Sequence, residues 1–122
     1  MCIRDSACTA VDVDSGRDVG GGALNRINEE AAYEIARQIR LRNLAGKIVI
    51  DFAGHSEYKY IKPLLEILER ELAKDSIKSH VAGLSRAGLV EIIRVRRRPS
   101  LSELMTEECP TCNGTGRVEK GA

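Results

Sequence analysis

The chain has no tryptophan and only four aromatic residues, Tyr33, Phe52, Tyr58 and Tyr60. Any core built from its 122 residues must therefore be aliphatic. Long apolar runs are also missing: none approaches the ~20 residues that a membrane span requires. No basic, then apolar, then small-residue leader opens the chain, which argues against a secretory signal peptide. Four cysteines are too few for a disulfide scaffold at this length, and two of them lie close together near the C-terminus. A dominant charge is absent as well. The formal net charge of +1 argues against a histone-like binder with one strong field. What remains is 43% hydrophobic and 30% charged, the profile of one ordinary globular domain large enough to bury a core. An intracellular protein with a local thiol site is the expectation.

The positive charge is unevenly placed. Arg37, Arg40 and Arg42 lie close together, and Arg94, Arg96, Arg97 and Arg98 fall in one short stretch. Local patches of this kind can meet phosphates without a high overall charge. A merely solvated face explains either cluster equally well.

Periodicity organises the chain. Ala7 to Asp14 reads as a strand, with Val11 and Val13 on one face and Asp12 and Asp14 on the other. Ser15-Gly16 makes a turn and Gly20-Gly21-Gly22 a flexible loop. Asn28 is placed to cap a helix, with Glu29 and Glu30 at its positive end. Ile27, Ala31, Ile35 and Ile39 recur every four residues, carrying that helix to about Asn43, before Gly46. Ile48-Val49-Ile50 is apolar on both faces, as in a buried central strand. Ile61, Leu64, Leu65, Leu68 and Leu72 form the stripe of a second helix, with Pro63 fitting its first turn. Lys78 to Leu84 and Leu89 to Val95 read as a hairpin joined through Ser85-Arg86-Ala87-Gly88. Ser100 to Thr106 forms a short helix in which Ser100 and Glu103 complete a capping box. Cys109 to Gly116 is turn-rich. The order β-α-β-α-β-β predicts an α/β fold: a mixed sheet with a parallel crossover and flanking helices. Met1 to Ser6 fits no pattern.

Two groups of residues carry chemistry. Asp12 and Asp14 are two apart in a strand and point to the same side, and Asp51 ends the strand Ile48-Val49-Ile50. If the intervening helix is a crossover, both strands are parallel and the acids gather at their carboxyl ends, about 4.8 Å apart between neighbours. Open α/β sheets bind ligands at that edge. Converging carboxylates repel, and Mg²⁺, which prefers oxygen donors and retains several waters, relieves the repulsion. The plainer alternative, that Asp14-Ser15-Gly16 is a turn and Asp51 a helix cap, remains open on spacing alone. The second group is Cys109-Pro110-Thr111-Cys112-Asn113-Gly114-Thr115-Gly116. A Cys-x-x-Cys knuckle presents two thiolates to Zn²⁺, and the glycines let the chain turn around the ion; a redox pair would instead open a helix. Structural zinc takes four ligands. Cys8 is expected within the first strand, Cys2 in the unpatterned leader, and His55 and His80 as surface or satisfied residues. A second copy of the chain is then the simplest source of the other two thiolates, against the alternative of free thiols in a tail.

These segments together resemble a known family. Val11-Asp12-Val13-Asp14-Ser15-Gly16-Arg17, Asn28-Glu29-Glu30-Ala31-Ala32, and Glu34-Ile35-Ala36-Arg37-Gln38-Ile39-Arg40-Leu41-Arg42-Asn43-Leu44 resemble the ribonuclease E/G family, as do Ile48-Val49-Ile50-Asp51-Phe52, Gly88-Leu89-Val90-Glu91 and Glu108-Cys109 through Gly116. The resemblance implies a bacterial cytoplasmic endoribonuclease that cuts single-stranded, often A/U-rich RNA in messenger decay and ribosomal RNA processing, with other RNA-decay proteins as potential partners. It implies a DNase I-like catalytic subdomain over residues 7–98 and a short helix with a zinc-link tail over 99–122; residues 1–6, which fit no pattern, are read as a suspect non-native leader. By position, Asp12 and Asp51 match the aspartates that bind the catalytic Mg²⁺. Cys109 and Cys112 match the thiols each protomer gives to an intersubunit Zn²⁺, which links a homodimer that can pair further into a tetramer. Asp14 stands where many members have Asn, and Gly54 where they commonly carry a second Asp. The family's OB-fold, 5′-monophosphate sensor and RNase H-like subdomain have no counterpart here, so a fragment with weak or no activity alone is expected.

The resulting expectation is Mg²⁺-assisted hydrolysis of RNA that leaves a 5′-phosphate and a 3′-hydroxyl. Asp12 and Asp51 hold the ion, Asp14 stands beside them as ligand or hydrogen-bond acceptor, and Arg94 and Arg96 meet RNA phosphates. The rival reading is a non-catalytic, zinc-linked dimerisation or RNA-binding module. A chaperone-type zinc domain is discounted because its Cys-x-x-Cys-x-Gly-x-Gly motif recurs several times per chain and occurs once here.

Overall fold

The computed structural model describes residues 8–16, 21–54 and 57–121. The suspect leader, Arg17, Gly20 and His55 lie outside the described residues. Four strands form one sheet: β1 (Thr9–Asp12), β2 (Gly46–Asp51), β3 (Ser79–Leu84) and β4 (Val90–Arg94), in the order β1-β2-β4-β3. β1 and β2 run parallel, joined by helix α1 (Gly21–Leu41); β4 runs antiparallel to both β2 and β3. Helix α2 (Tyr58–Leu72) returns the chain from β2 to β3, and α3 (Leu101–Met105) follows β4. The architecture is the expected α/β fold with a mixed sheet and a parallel crossover.

The core lies on one face of this sheet. Ile48 and Ile50 of β2 pair in register with Ile92 and Val90 of β4, and all four are essentially inaccessible to solvent. Against them pack Ala32, Ile35, Ala36 and Ile39 of α1 and Ile61, Leu64, Leu65, Leu68 and Leu72 of α2. Burying each large aliphatic side chain contributes about 1.5–3 kcal/mol relative to leaving it exposed. The alternate residues of the strands, Lys47, Asp51, Glu91 and Ile93, emerge on the opposite, exposed face.

Several elements depart from the sequence expectation. Helix α1 starts at Gly21, so Gly21 and Gly22 belong to its first turn rather than to a loop. Asn28 is then the eighth helical residue and not a cap. The glycine penalty that suggested a loop, about 1 kcal/mol each, is outweighed by the inward stripe that follows. Pro63 is the sixth residue of α2, one turn deeper than expected, and its ring sits on the exposed side of the helix. Strand β1 is shorter than predicted: it ends at Asp12, and Cys8 lies just before it, exposed. The hairpin forms as expected, with an irregularity between Val81 and Gly83. The capping box also forms: Ser100 Oγ accepts from Glu103 N at 3.2 Å and Glu103 Oε2 accepts from Ser100 N at 2.6 Å. The Ser100 N–H, then the Ser100 side chain, hold the Glu103 carboxyl below its usual range.

The end of α1 is a junction. Asn43, at φ 50°, stands in the left-handed region where helices commonly stop. Its Nδ2 donates to the carbonyls of Arg98 and Pro99, both at 3.0 Å, and Leu101 N donates to Arg42 O at 2.9 Å. These bonds tether the segment that leads to the cysteines.

Candidate active site

The parallel register places Asp12 directly opposite Asp51. Both are the last residues of their strands, both belong to the face away from the helices, and both are exposed. Backbone pairing continues one step further, with Val13 N donating to Asp51 O at 2.9 Å. The two carboxylates thus project side by side from a rigid ladder at the carboxyl edge of the parallel pair, where open α/β sheets receive ligands. Among the described residues, no ion pair engages either of them.

Asp14 behaves differently. The strand has ended, and Asp14 Oδ1 accepts from Gly16 N at 2.8 Å, closing the turn Asp14-Ser15-Gly16. Among the described residues no group of three acidic, His or Cys side chains is positioned to hold an ion. The structure therefore brings together two of the three predicted acids, and spends the third on the turn. Two carboxylates with open solvent around them fit Mg²⁺, which keeps several waters and often takes only one or two protein carboxylates.

Beyond Asp51 the chain is fixed by a residue that sequence reasoning assigned to a different task. Asn28 is 6% exposed. Its Oδ1 accepts from Ala53 N at 3.0 Å and its Nδ2 donates to Ala53 O at 2.8 Å. A signal for this was present: Asn28 falls in phase with Ala32, Ile35 and Ile39, the inward stripe of α1. Gly54 follows at φ +82°, with Leu24 Cδ1 at 3.0 Å from where its Cβ would stand. A side chain there, including the Asp common in the resembling family, is strained by the backbone and crowded by Leu24.

The predicted phosphate contacts divide. Arg94 is buried, on the helix-covered face of β4. Its Nε and Nη2 each lie 2.9 Å from Asp75 Oδ2, and its Nη1 donates to Asn43 Oδ1 and Leu44 O, both at 2.8 Å. It is an internal tie, not a surface contact, and this corrects its expected role. Arg96 is exposed, with Glu103 at 3.6 Å, and remains accessible. Arg37 of α1 donates to Glu34 at 3.0 Å, and Arg42, just past the helix end, donates back to Gln38 at 2.8 Å. His80 is exposed on β3.

The cysteine segment forms a tight turn. Cys109 O accepts from Asn113 N at 2.8 Å and Cys112 O from Thr115 N at 3.0 Å. Thr115 Oγ1 adds a 2.7 Å bond to Cys112 O. Asn113, Gly114 and Gly116 all have positive φ, which is how so short a segment reverses. Cys112 is buried and Cys109 partly so, and neither is in a disulfide. Two sulfur donors on one turn are half of a tetrahedral zinc set.

Comparison with known proteins identifies the family. Residues 4–97 match the sequence model of the Ribonuclease E/G family. Over 120 residues the chain is 44% identical to ribonuclease G of Escherichia coli K12, covering 95% of this chain and 24% of the relative. Ribonuclease G of Haemophilus influenzae is 40% identical over 120 residues. Ribonuclease E of Escherichia coli K12 is 40% identical over 116 residues, covering 92% of this chain and 11% of the relative. The chain thus spans about a quarter, or less, of the length of these relatives. With a family match over most of its length and an α/β sheet that carries the paired acids, the chain belongs to the ribonuclease E/G family.

Proposed function

We propose that this chain carries the metal-binding acids of an Mg²⁺-dependent endoribonuclease that hydrolyses phosphodiester bonds of single-stranded RNA in messenger decay and ribosomal RNA processing. The observation that carries the reading is the register pairing of Asp12 with Asp51 at the carboxyl ends of parallel strands. When bound, Mg²⁺ supplies Lewis-acid polarisation of the phosphate and a more acidic bound water. The protein's part is to hold two carboxylates at fixed spacing on an exposed edge that a flexible RNA strand can reach. Arg96, exposed beyond the end of β4, offers a guanidinium to a neighbouring phosphate. The turn at Cys109 and Cys112 supplies two thiolates, and a second copy of the chain supplies the other two, so that one Zn²⁺ links two protomers.

The test is cleavage of a fluorescent single-stranded A/U-rich RNA by the complete enzyme that contains these residues. Asp12→Asn and Asp51→Asn each lower the rate by on the order of 10²–10⁴-fold, corresponding to several kcal/mol of lost charge stabilisation, while the fold and dimer persist. Undiminished cleavage in either variant refutes the assignment, and leaves a zinc-linked dimerisation or RNA-binding module as the reading.

A further inference from the structure

We propose that Asn28 is a positioning residue for the acid pair, holding the exit of β2 so that the Asp51 carboxylate stays aligned with Asp12. The proposal rests on the reading of Asp12 and Asp51 as a divalent-cation site.

The sheet itself holds Asp51 only on one side. Its carbonyl accepts from Val13 N at 2.9 Å, and β2 ends there. Two residues later the backbone would be unsupported by any ladder. Instead the amide of Asn28 grips Ala53 at both polar groups, at 2.8 and 3.0 Å. The amide's orientation is fixed by this pairing, since a flip would face donor to donor and acceptor to acceptor. Phe52, between the acid and the clamp, is buried, and Leu24 packs over Gly54. Asp51 is thus held between a ladder bond and a buried clamp, with only its side chain projecting outward. Asn28 is itself nearly inaccessible and does not belong to the exposed face that carries the acids, so it acts through the backbone. Partners that orient metal-binding side chains from one shell out typically affect metal affinity by about 10–100-fold.

The experiment is a titration of the 122-residue chain with Mn²⁺, read by the EPR signal of the free ion, alongside far-UV circular dichroism. The expected result has three parts. Asp12→Asn weakens Mn²⁺ binding at least tenfold. Asn28→Ala, while folded, weakens it by about tenfold, the low end for such partners, and speeds amide hydrogen exchange at Ala53. In an Asp12→Asn background, Asn28→Ala has no further effect on Mn²⁺, which a merely structural role would not produce. If Asn28→Ala fails to fold, Asn28→Gln, which keeps the amide but displaces it by one methylene, is expected to fold and to weaken Mn²⁺ likewise. Folded Asn28 variants that bind Mn²⁺ within twofold of the parent, with Asp12→Asn still impaired, overturn this proposal alone. Failure of both variants to fold also overturns it, making Asn28 a folding residue. Mn²⁺ binding indifferent to Asp12→Asn overturns the cation site and the proposal together.

Discussion

Replacing Arg94 separates an internal tie from an RNA contact. In the folded chain its guanidinium serves three acceptors at 2.8–2.9 Å: the Asp75 carboxylate, the Asn43 side-chain oxygen and the Leu44 carbonyl. Arg94 is 2% exposed and Asp75 8%, so solvent screens this pair little. Arg94→Ala leaves Asp75 as an unpaired buried carboxylate and strips two further acceptors. Breaking one side of such a pair costs about 3–5 kcal/mol. A domain of this size is stable by roughly 6–18 kcal/mol, at 0.05–0.15 kcal/mol per residue. The loss is therefore a large share of the total, and lowers the melting temperature by roughly 10–25 °C.

With no tryptophan in the chain, urea unfolding followed by circular dichroism is the suitable assay, with RNA binding measured below the onset of unfolding. Asp75→Ala should destabilise to a similar degree. The double variant should be less destabilised than the sum of the two, because each single change leaves the other partner unpaired. An Arg94→Ala protein with the parent's unfolding midpoint but weakened RNA binding would refute the reasoning and restore the phosphate role.

Two other outcomes follow from local geometry. Gly54→Ala meets both a φ of +82° and Leu24 Cδ1 at 3.0 Å, and should cost about 1–2 kcal/mol from the backbone conformation alone; an unchanged urea midpoint would show that the turn relaxes freely. Native mass spectrometry should find one Zn²⁺ per dimer, with metal and dimer lost together in Cys109→Ser, since structural zinc couples to assembly; a stable zinc-free dimer in that variant would remove the thiol turn from the interface.

Most of the sheet was legible because its signals are local. The alternation in β4, the turn between β3 and β4 and the Ser100–Glu103 box each lie within a few residues, and each forms as read. The gathering of Asp12 and Asp51 at one edge was legible for a different reason: a strand, helix and strand in sequence make the strands parallel once the crossover is accepted, and both acids stand at carboxyl ends. What escaped were polar residues whose partners lie far along the chain. Arg94 sits among three other arginines and reads as part of a charged patch, while Asp75, Asn43 and Leu44 approach it only in the fold. Asn28 precedes two glutamates and reads as a cap, because nothing in its neighbourhood announces Ala53. The three glycines concealed the helix start, since their low helix propensity is a local fact and the packing that overrides it is not.

Two asparagines, one within helix α1 and one just past its end, tie α1 to the backbone after Asp51 and to the segment before the thiol turn. At about 1.5 Å per residue its 21 residues extend roughly 30 Å. Two turns into it Asn28 holds the backbone just past Asp51, and beyond its C-terminal end Asn43 holds Arg98 and Pro99, on the path to the thiol turn. Between them the helix buries Ala32, Ile35, Ala36 and Ile39 in the core. The segment that leads to the thiol turn and the backbone that follows Asp51 are thus tied to the same packed helix. Side-chain amides suit both ends because each supplies a donor and an acceptor without a charge to bury. An aspartate at position 43 would still accept from Arg94 but would set a carboxylate against the carbonyls of Arg98 and Pro99. The neutral amide is what lets one side chain close the helix, receive the buried arginine and tether the tail at once.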